Sequence, residues 1–234
     1  MAWGSKLRAQ LRSTPLYPTY MRVKYRLSST AREELFTGYF RENVWGDPES
    51  VSGSGSSLAG SAMLREALPP LLRELGIRSL LDIPCGDFAW MQHLDLEGIT
   101  YTGADIVNEM VTDLQLRFGV PGRRFIRLDL ISDDIPAGFD AIMVRDLFLH
   151  LPNAMVHRAI EAIRSSGAKW MLASTYTDVA VNEDIMLGHH RFVDLTLPPF
   201  GLPVPFRLLD DPDFDREDKQ LGVWRIGIGP AADL

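Results

Sequence analysis

The sequence predicts an α/β fold: a mostly parallel seven-stranded sheet with helices on both faces, an antiparallel last strand and an N-terminal helical extension. Three observations predict it. Between residues 79 and 173, five short apolar runs alternate with stretches of helical periodicity, the mark of repeated strand–helix crossovers. The first run breaks off in the turn Pro84-Cys85-Gly86-Asp87, and the next three end in charge at Asp105, Asp129 and Arg145-Asp146. Two closing runs, 206–209 and 221–228, have only a short connection, which suggests an antiparallel hairpin at a sheet edge. Together these features describe a Rossmann-like sheet with right-handed crossovers.

Taken in order, residues 1–27 read as an irregular basic arm, since Pro15 and Pro18 interrupt any long helix. From Ser28 the pattern turns helical. Ser29 or Thr30 can cap it, Glu33 and Glu34 suit a first turn, and it fades near residues 41–43. Residues 44–57 are rich in Ser and Gly, and on composition alone they read equally as a flexible linker or a ligand-wrapping loop. A helix follows over about 58–75 with Gly76 as its stop; Pro69-Pro70 predicts a kink or a second helix start.

The run 79–83 has no polar alternation except Asp82, as expected of a strand buried on both faces. Gly86 permits a tight turn, and Asp87 can cap a helix over about 88–94. The other predicted strands are 100–104, 124–128, 139–144 and 169–173, with helices over about 107–118 and 153–165. Pro152 sits well at the start of the last helix. Residues 176–205 are irregular and proline-rich, too long for an ordinary connection and so a candidate functional insertion. The acidic stretch 210–218 reads as a solvated surface loop. The chain divides into an N-terminal part, 1–57, and a main domain, 58–234, carrying the 176–205 insertion.

A length of 234 residues, 46% of them hydrophobic, suits one domain with additions. The single cysteine, Cys85, excludes an internal disulfide and a cysteine-cluster metal site. No apolar run is long enough to span a bilayer, and Lys6, Arg8 and Arg12 interrupt any signal-peptide core. The expectation is a soluble, cytoplasmic protein. Seven basic residues and no acid precede Glu33, leaving 17 basic against 31 acidic residues in the rest. So acidic a body argues against nucleic acid as partner. The arm can lie on the acidic body of its own or a neighbouring subunit, so a homodimer stays open.

The strand-end acids carry the functional reading. One such acid alone reads as a helix cap or a surface turn. In strand order they read as a nucleotide site. Asp105, about twenty residues after the glycine turn, suits the ribose hydroxyls, and Asp129 suits an adenine amino group. Asp82 and Gly86 lie where the rest of the ligand passes. A dinucleotide site wants G-x-G-x-x-G, but here Gly86 stands alone and Asp87 repels phosphate. An acidic rim fits S-adenosylmethionine (SAM), which is cationic and has no phosphate.

Residues 79–174 resemble the class I SAM-dependent methyltransferases. A narrower likeness covers residues 39–228. The runs Arg41-Glu42-Asn43-x-Trp45-Gly46-Asp47 and Glu49-Ser50-x-Ser52-Gly53-x-Gly55-Ser56, the core Asp82 to Met91, Arg145-Asp146-x-x-x-His150-Leu151 and Leu197-Pro198-Pro199-Phe200 resemble a bacterial methyltransferase group associated with sugar and glycan modification. The resemblance implies that Gly53, Ser54 and Ser56 close over SAM and that Arg65 binds its carboxylate. Pro84, Ile106, Leu130 and Arg145 are assigned to the same cofactor site beside Asp82, Gly86, Asp105 and Asp129.

Methyl transfer to a sugar hydroxyl must release a proton, so it wants a base or a metal. His150, after strand four, is the candidate base, and Asp146 can orient it, hold the acceptor or help bind an ion; a structural histidine is the competing reading. No spacing marks a carboxylate cluster, so a divalent ion such as Mg stays open. Trp90, Tyr176, His190 and Arg191 are candidate contacts to a small-molecule or oligosaccharide acceptor. The leading function is sugar O-methylation. The alternatives are N- or carboxyl-methylation of a small metabolite or peptide, and a SAM-binding regulatory or scaffold module.

Overall fold

The computed structural model describes residues 15–213 and 216–226. Residues 1–14 of the basic arm, 214–215 of the acidic stretch and the last part of the closing run, 227–228, lie outside them. Seven strands form one sheet: β1 (Ser79–Asp82), β2 (Thr100–Asp105), β3 (Arg123–Arg127), β4 (Ala141–Val144), β5 (Trp170–Tyr176), β6 (Arg207–Asp210) and β7 (Lys219–Arg225). Their order is β3-β2-β1-β4-β5-β7-β6. The first five run parallel, β7 pairs antiparallel with β5 from Trp170↔Arg225 to Tyr176↔Lys219, and β6 pairs antiparallel with β7 at the edge.

Alternation along the strands splits the core into two layers. Leu81, Ile142, Met171 and Ala173 face one side, where Val156, Ala159 and Ile163 of helix α5 (Asn153–Ser165) cover them. Leu80, Tyr101, Met143 and Leu172 face the other, against Leu64, Leu68 and Leu72 of α3 (Ala62–Glu74) and Val111 and Leu114 of α4 (Asn108–Phe118). Gly103 in β2 lets the layers close, because a Cβ there would lie 2.7 Å from the Phe125 ring. After β3 the chain returns past β1 to build β4 and β5, so the order of strand addition reverses between the parallel neighbours β1 and β4. A crevice opens there at the strands' carboxyl ends.

Several local expectations are corrected. Residues 16–27 are not irregular: helix α1 (Leu16–Leu27) starts behind Pro15 and admits Pro18 in its first turn, where a missing N–H costs no helical bond. Helix α2 (Ser29–Glu42) is capped by Ser28, whose hydroxyl accepts from the Ala31 N–H, and ends on Asn43 in the left-handed region. α3 begins at Ala62 rather than 58 and passes through Pro69 and Pro70 as one helix with no second start. No α-helix follows the glycine turn. Phe88 has φ +63°, and only a 3₁₀ turn forms over Met91–His93. No helix among the described residues is long and apolar enough to cross a membrane.

Candidate active site

The floor of the crevice is made by strand ends. Asp82 closes β1 and accepts the Tyr101 hydroxyl at 2.7 Å; burial pushes its carboxyl up to about 7. Asp105 closes β2 and accepts the Val107 N–H at 3.0 Å and the Gly86 N–H at 3.3 Å; burial raises it to about 6. Between them, Gly86 takes φ +54°, and a Cβ there would lie 2.3 Å from the Ser52 hydroxyl oxygen. This close approach lets the Ser/Gly stretch lie on the turn. The Asp87 carboxylate accepts the Ser50 hydroxyl and the Val51 N–H, each at 2.9 Å, and the Asp87 N–H donates to Ser52. From the far side, Arg145 donates to the Gly55 carbonyl at 2.9 Å.

A cavity of about 370 Å³ lies under this loop. Phe36 and Phe40 of α2 and Trp45 line it with the loop; Gly86, Asp105, Ile106, Asp146, His150 and Tyr176 line it from the strand ends. The His150 Nδ1 pairs with the His189 carbonyl at 3.0 Å, so this nitrogen carries the proton and Nε2 keeps its lone pair. Burial pushes the imidazole down to about 4 against the opposing effect of that hydrogen bond, so the ring is neutral at ordinary pH. Trp45 and His190 flank it with ring centroids 5.6 Å away.

Beyond His150 lies a charge cluster. Asp146, at φ +56°, accepts Lys219 Nζ at 2.8 Å and the Ser174 hydroxyl at 3.0 Å. Burial alone would raise this carboxyl, but Lys219 and Arg145 hold it well below the usual range. Asp211 takes Arg145 in two bonds of 2.9 and 2.6 Å. Burial works against both cations, yet the surrounding aspartates raise Arg145 and Lys219. Asp213 accepts Lys219 at 3.0 Å and also the Tyr176 hydroxyl.

The cavity gathers Gly53, Ser54, Ser56, Asp82, Pro84, Trp90, Gly86, Asp105, Ile106, Arg145, Asp146, His150, Tyr176 and His190. Four sequence candidates lie elsewhere. Arg65 donates to the Leu58 carbonyl at 2.8 Å and to Ser61. Asp129 is bound by Arg32 Nε at 3.0 Å, Ser29 at 2.7 Å and Ser132 at 2.9 Å, and with Leu130 it lines a smaller adjoining pocket. Arg191 donates to the Leu151 carbonyl at 2.7 Å and bonds Asn153 and the Glu183 carbonyl, so it braces the 176–205 insertion. Asp146 makes no hydrogen bond to His150 among the described residues; its partners are Lys219 and Ser174.

The acidic stretch is not a solvated loop throughout, since Asp211 is buried and Asp213 reaches the cavity. Lys219, Asp211 and Asp213 were missed because charge density alone reads as surface. The available signal was a lysine just ahead of the apolar run Leu221–Trp224. Among the described residues, no group of three or more His, Cys, Asp or Glu side chains is placed to hold a metal.

The architecture has solved counterparts. The chain is similar to the methyltransferase domain of bacterial CtHen1-C, at 16% identity and a TM-score of 0.54, covering 72% of this chain and 100% of that one. It is also similar to the Burkholderia thailandensis 1,6-didemethyltoxoflavin-N1-methyltransferase, solved with 1,6-didemethyltoxoflavin and S-adenosylhomocysteine bound, at 16% identity and a TM-score of 0.59 over 85% of this chain and 88% of that one. The chain has the class I methyltransferase fold. The same fold appears in the N,N-8-amino-8-demethyl-D-riboflavin dimethyltransferase RosA of Streptomyces davawensis, at 14% identity and a TM-score of 0.51, covering 72% of this chain and 55% of RosA. No protein-family model and no curated protein matches the chain by sequence.

Proposed function

We propose that this protein is a SAM-dependent methyltransferase that methylates a hydroxyl of a sugar or oligosaccharide, with His150 as general base. The observation that carries this reading is one continuous cavity. It runs from the glycine turn and Asp105 at one end to His150 at the other.

The residues fit the cofactor. Asp82 and Asp105 line the cavity with raised pKa values, and neither bonds a cation among the described residues. A cationic ligand would offset the burial of both. Asp105 would hold the ribose, and Gly86 and Asp82 the amino-acid end. Gly53, Ser54 and Ser56 would cover the ligand, held down by Asp87 and Arg145. Since the carboxylate of Asp129 is already bound by Arg32, the adenine end would fall to Ile106 and Phe36, which line both the cavity and the adjoining pocket. Bound SAM supplies a methyl group on a sulfonium.

The protein's own contribution is positioning and proton removal in a covered cleft. Neutral His150, with Nδ1 fixed on the His189 carbonyl, can take the hydroxyl proton at Nε2. Trp45 and Phe192 give the acceptor flat apolar faces, with Tyr176, 1% exposed, packed behind Phe192.

The test is a screen of mono- and oligosaccharides with SAM, with and without chelator, read by mass. A methylated sugar and S-adenosylhomocysteine are expected. His150→Ala is expected to lower kcat by about a hundredfold or more while changing SAM affinity little. Methylation confined to amines or carboxylates, or near-normal turnover in His150→Ala, would overturn the acceptor or base assignment respectively.

A further inference from the structure

The acceptor end of the cavity is bounded by charged groups that the cofactor reading leaves unused. Lys219 opens β7 with its side chain 1% exposed. Its ammonium reaches three carboxylates: Asp146 at 2.8 Å, Asp213 at 3.0 Å and Asp211 at 3.3 Å. Asp211 is fully enclosed, and both of its oxygens are taken by Arg145. Asp146 and Asp213 differ from it. Their side chains are 26% and 29% exposed, and both line the cavity.

Each of these two carboxylates is fixed from behind. Asp146 accepts Ser174 and Lys219; Asp213 accepts Lys219 and Tyr176. A carboxylate offers about four lone-pair positions, so each keeps roughly two for a ligand. Their orientation is set before any ligand arrives, because the groups that hold them are on the packed strands β5 and β7. What they present to the cavity is acceptor capacity only.

Charge sharpens the point. Three carboxylates, Asp146, Asp211 and Asp213, face two cations, Arg145 and Lys219, which leaves the cluster negative by one. The other cation on the cavity wall, Arg216, is held by Asp218 and lies 4.4 Å over the Phe192 ring. An anionic acceptor would meet like charge here, with each of these cations already paired. Hydroxyl groups, by contrast, can donate to both open carboxylates.

We propose that Asp213 and Asp146 select a polyhydroxy acceptor without negative charge, two of whose hydroxyls donate to them, and that Lys219 is the positioning residue that holds the pair in place. This inference rests on the methyltransferase reading above and narrows it. Neutral sugars and glycosides are accepted; uronic acids and sugar phosphates are refused.

The experiment uses the full chain with SAM and hexose glycosides in matched neutral, uronate and 6-phosphate forms, with transfer read as S-adenosylhomocysteine by mass. The best neutral acceptor is expected to exceed its charged forms by about a hundredfold in kcat/KM. Asp213→Asn, nearly the same in shape, is expected to narrow that gap by about tenfold while calorimetric SAM affinity holds. Lys219→Met is expected to raise acceptor KM more than it lowers kcat, with Lys219→Arg restoring much of the loss. Equal turnover of charged and neutral forms, or an unchanged gap in Asp213→Asn, overturns the inference and leaves the methyltransferase reading standing. Product from none of the panel overturns the sugar reading, and the inference with it.

Discussion

Asp82 and Asp105 have carboxyl groups pushed up to about 7 and about 6 by burial, and both line the cavity. Their folded-state values lie above the unfolded ones. Each therefore contributes stability that is complete below the unfolded pKa and is lost as pH rises through the folded value. A cationic ligand reverses this by favouring the ionised forms, so binding releases protons near neutrality. SAM affinity is expected to weaken as pH falls through 7 and then 6, and its calorimetric heat to vary with buffer ionisation enthalpy in the sense of proton release. Buffer-independent heat would remove both acids from the cofactor's neighbourhood. Asp82→Asn is expected to raise the melting temperature of the ligand-free protein at pH 8 by about 3 °C while weakening SAM binding. The strand ends that carry these two acids are legible in sequence because an abrupt polar stop after an apolar run marks the sheet's rim. The Lys219 cluster is not legible in the same way. Its pairing with Asp146, Asp211 and Asp213 exists only once β7 lies beside β5.

At the scale of elements, α2 is the roof, and what pins it is one buried ion pair. Arg32 and Asp129 are each 2% exposed, and α2 makes three further pairs, Glu33 with Arg127, Arg41 with Glu109 and Glu34 with Lys24 of α1, which are more open. Exposed pairs contribute little, whereas removing one partner of a buried pair strands a charge. Arg32→Leu is thus expected to cost about 3–5 kcal/mol, with Arg32→Leu/Asp129→Leu recovering most of it. Denaturant unfolding of the two single variants and the double variant gives the cycle. Equal losses in Arg32→Leu and in the double variant would mean that the pair does not hold the roof. The helix itself is legible from residue 28 onward, since Phe36 and Phe40 supply an apolar side, although its cap is Ser28 and not Ser29 or Thr30. Its long-range partner is not. Asp129 reads by sequence as a ligand for adenine, because nothing local shows a guanidinium 97 positions away arriving first. The missing helix after Asp87 has a similar cause: the Asp87 carboxylate, well placed to cap, also holds Ser50 and Val51.

For the whole molecule, the cavity joins parts that are far apart in sequence. The loop at 50–56 is tied to the β1 turn through Asp87 and to the end of β4 through Arg145. Arg145 is tied through Asp211 and Lys219 to the closing hairpin. A ligand filling this cavity therefore binds only when sheet, loop and roof are assembled, and it should stabilise the domain as a unit. With S-adenosylhomocysteine at a hundred times its Kd, linkage gives about 2.7 kcal/mol. For a chain of this size that corresponds to a rise in melting temperature of roughly 5–10 °C. NAD, which needs a glycine-rich phosphate turn where this chain has Asp87, is expected to give no rise. Hydrogen exchange should show the same distribution, with protection gained at 50–56, 84–88 and 105–107 and little change in β6 at the far edge. Stabilisation by NAD in place of S-adenosylhomocysteine, or protection confined to β6, would place the ligand site elsewhere in the fold.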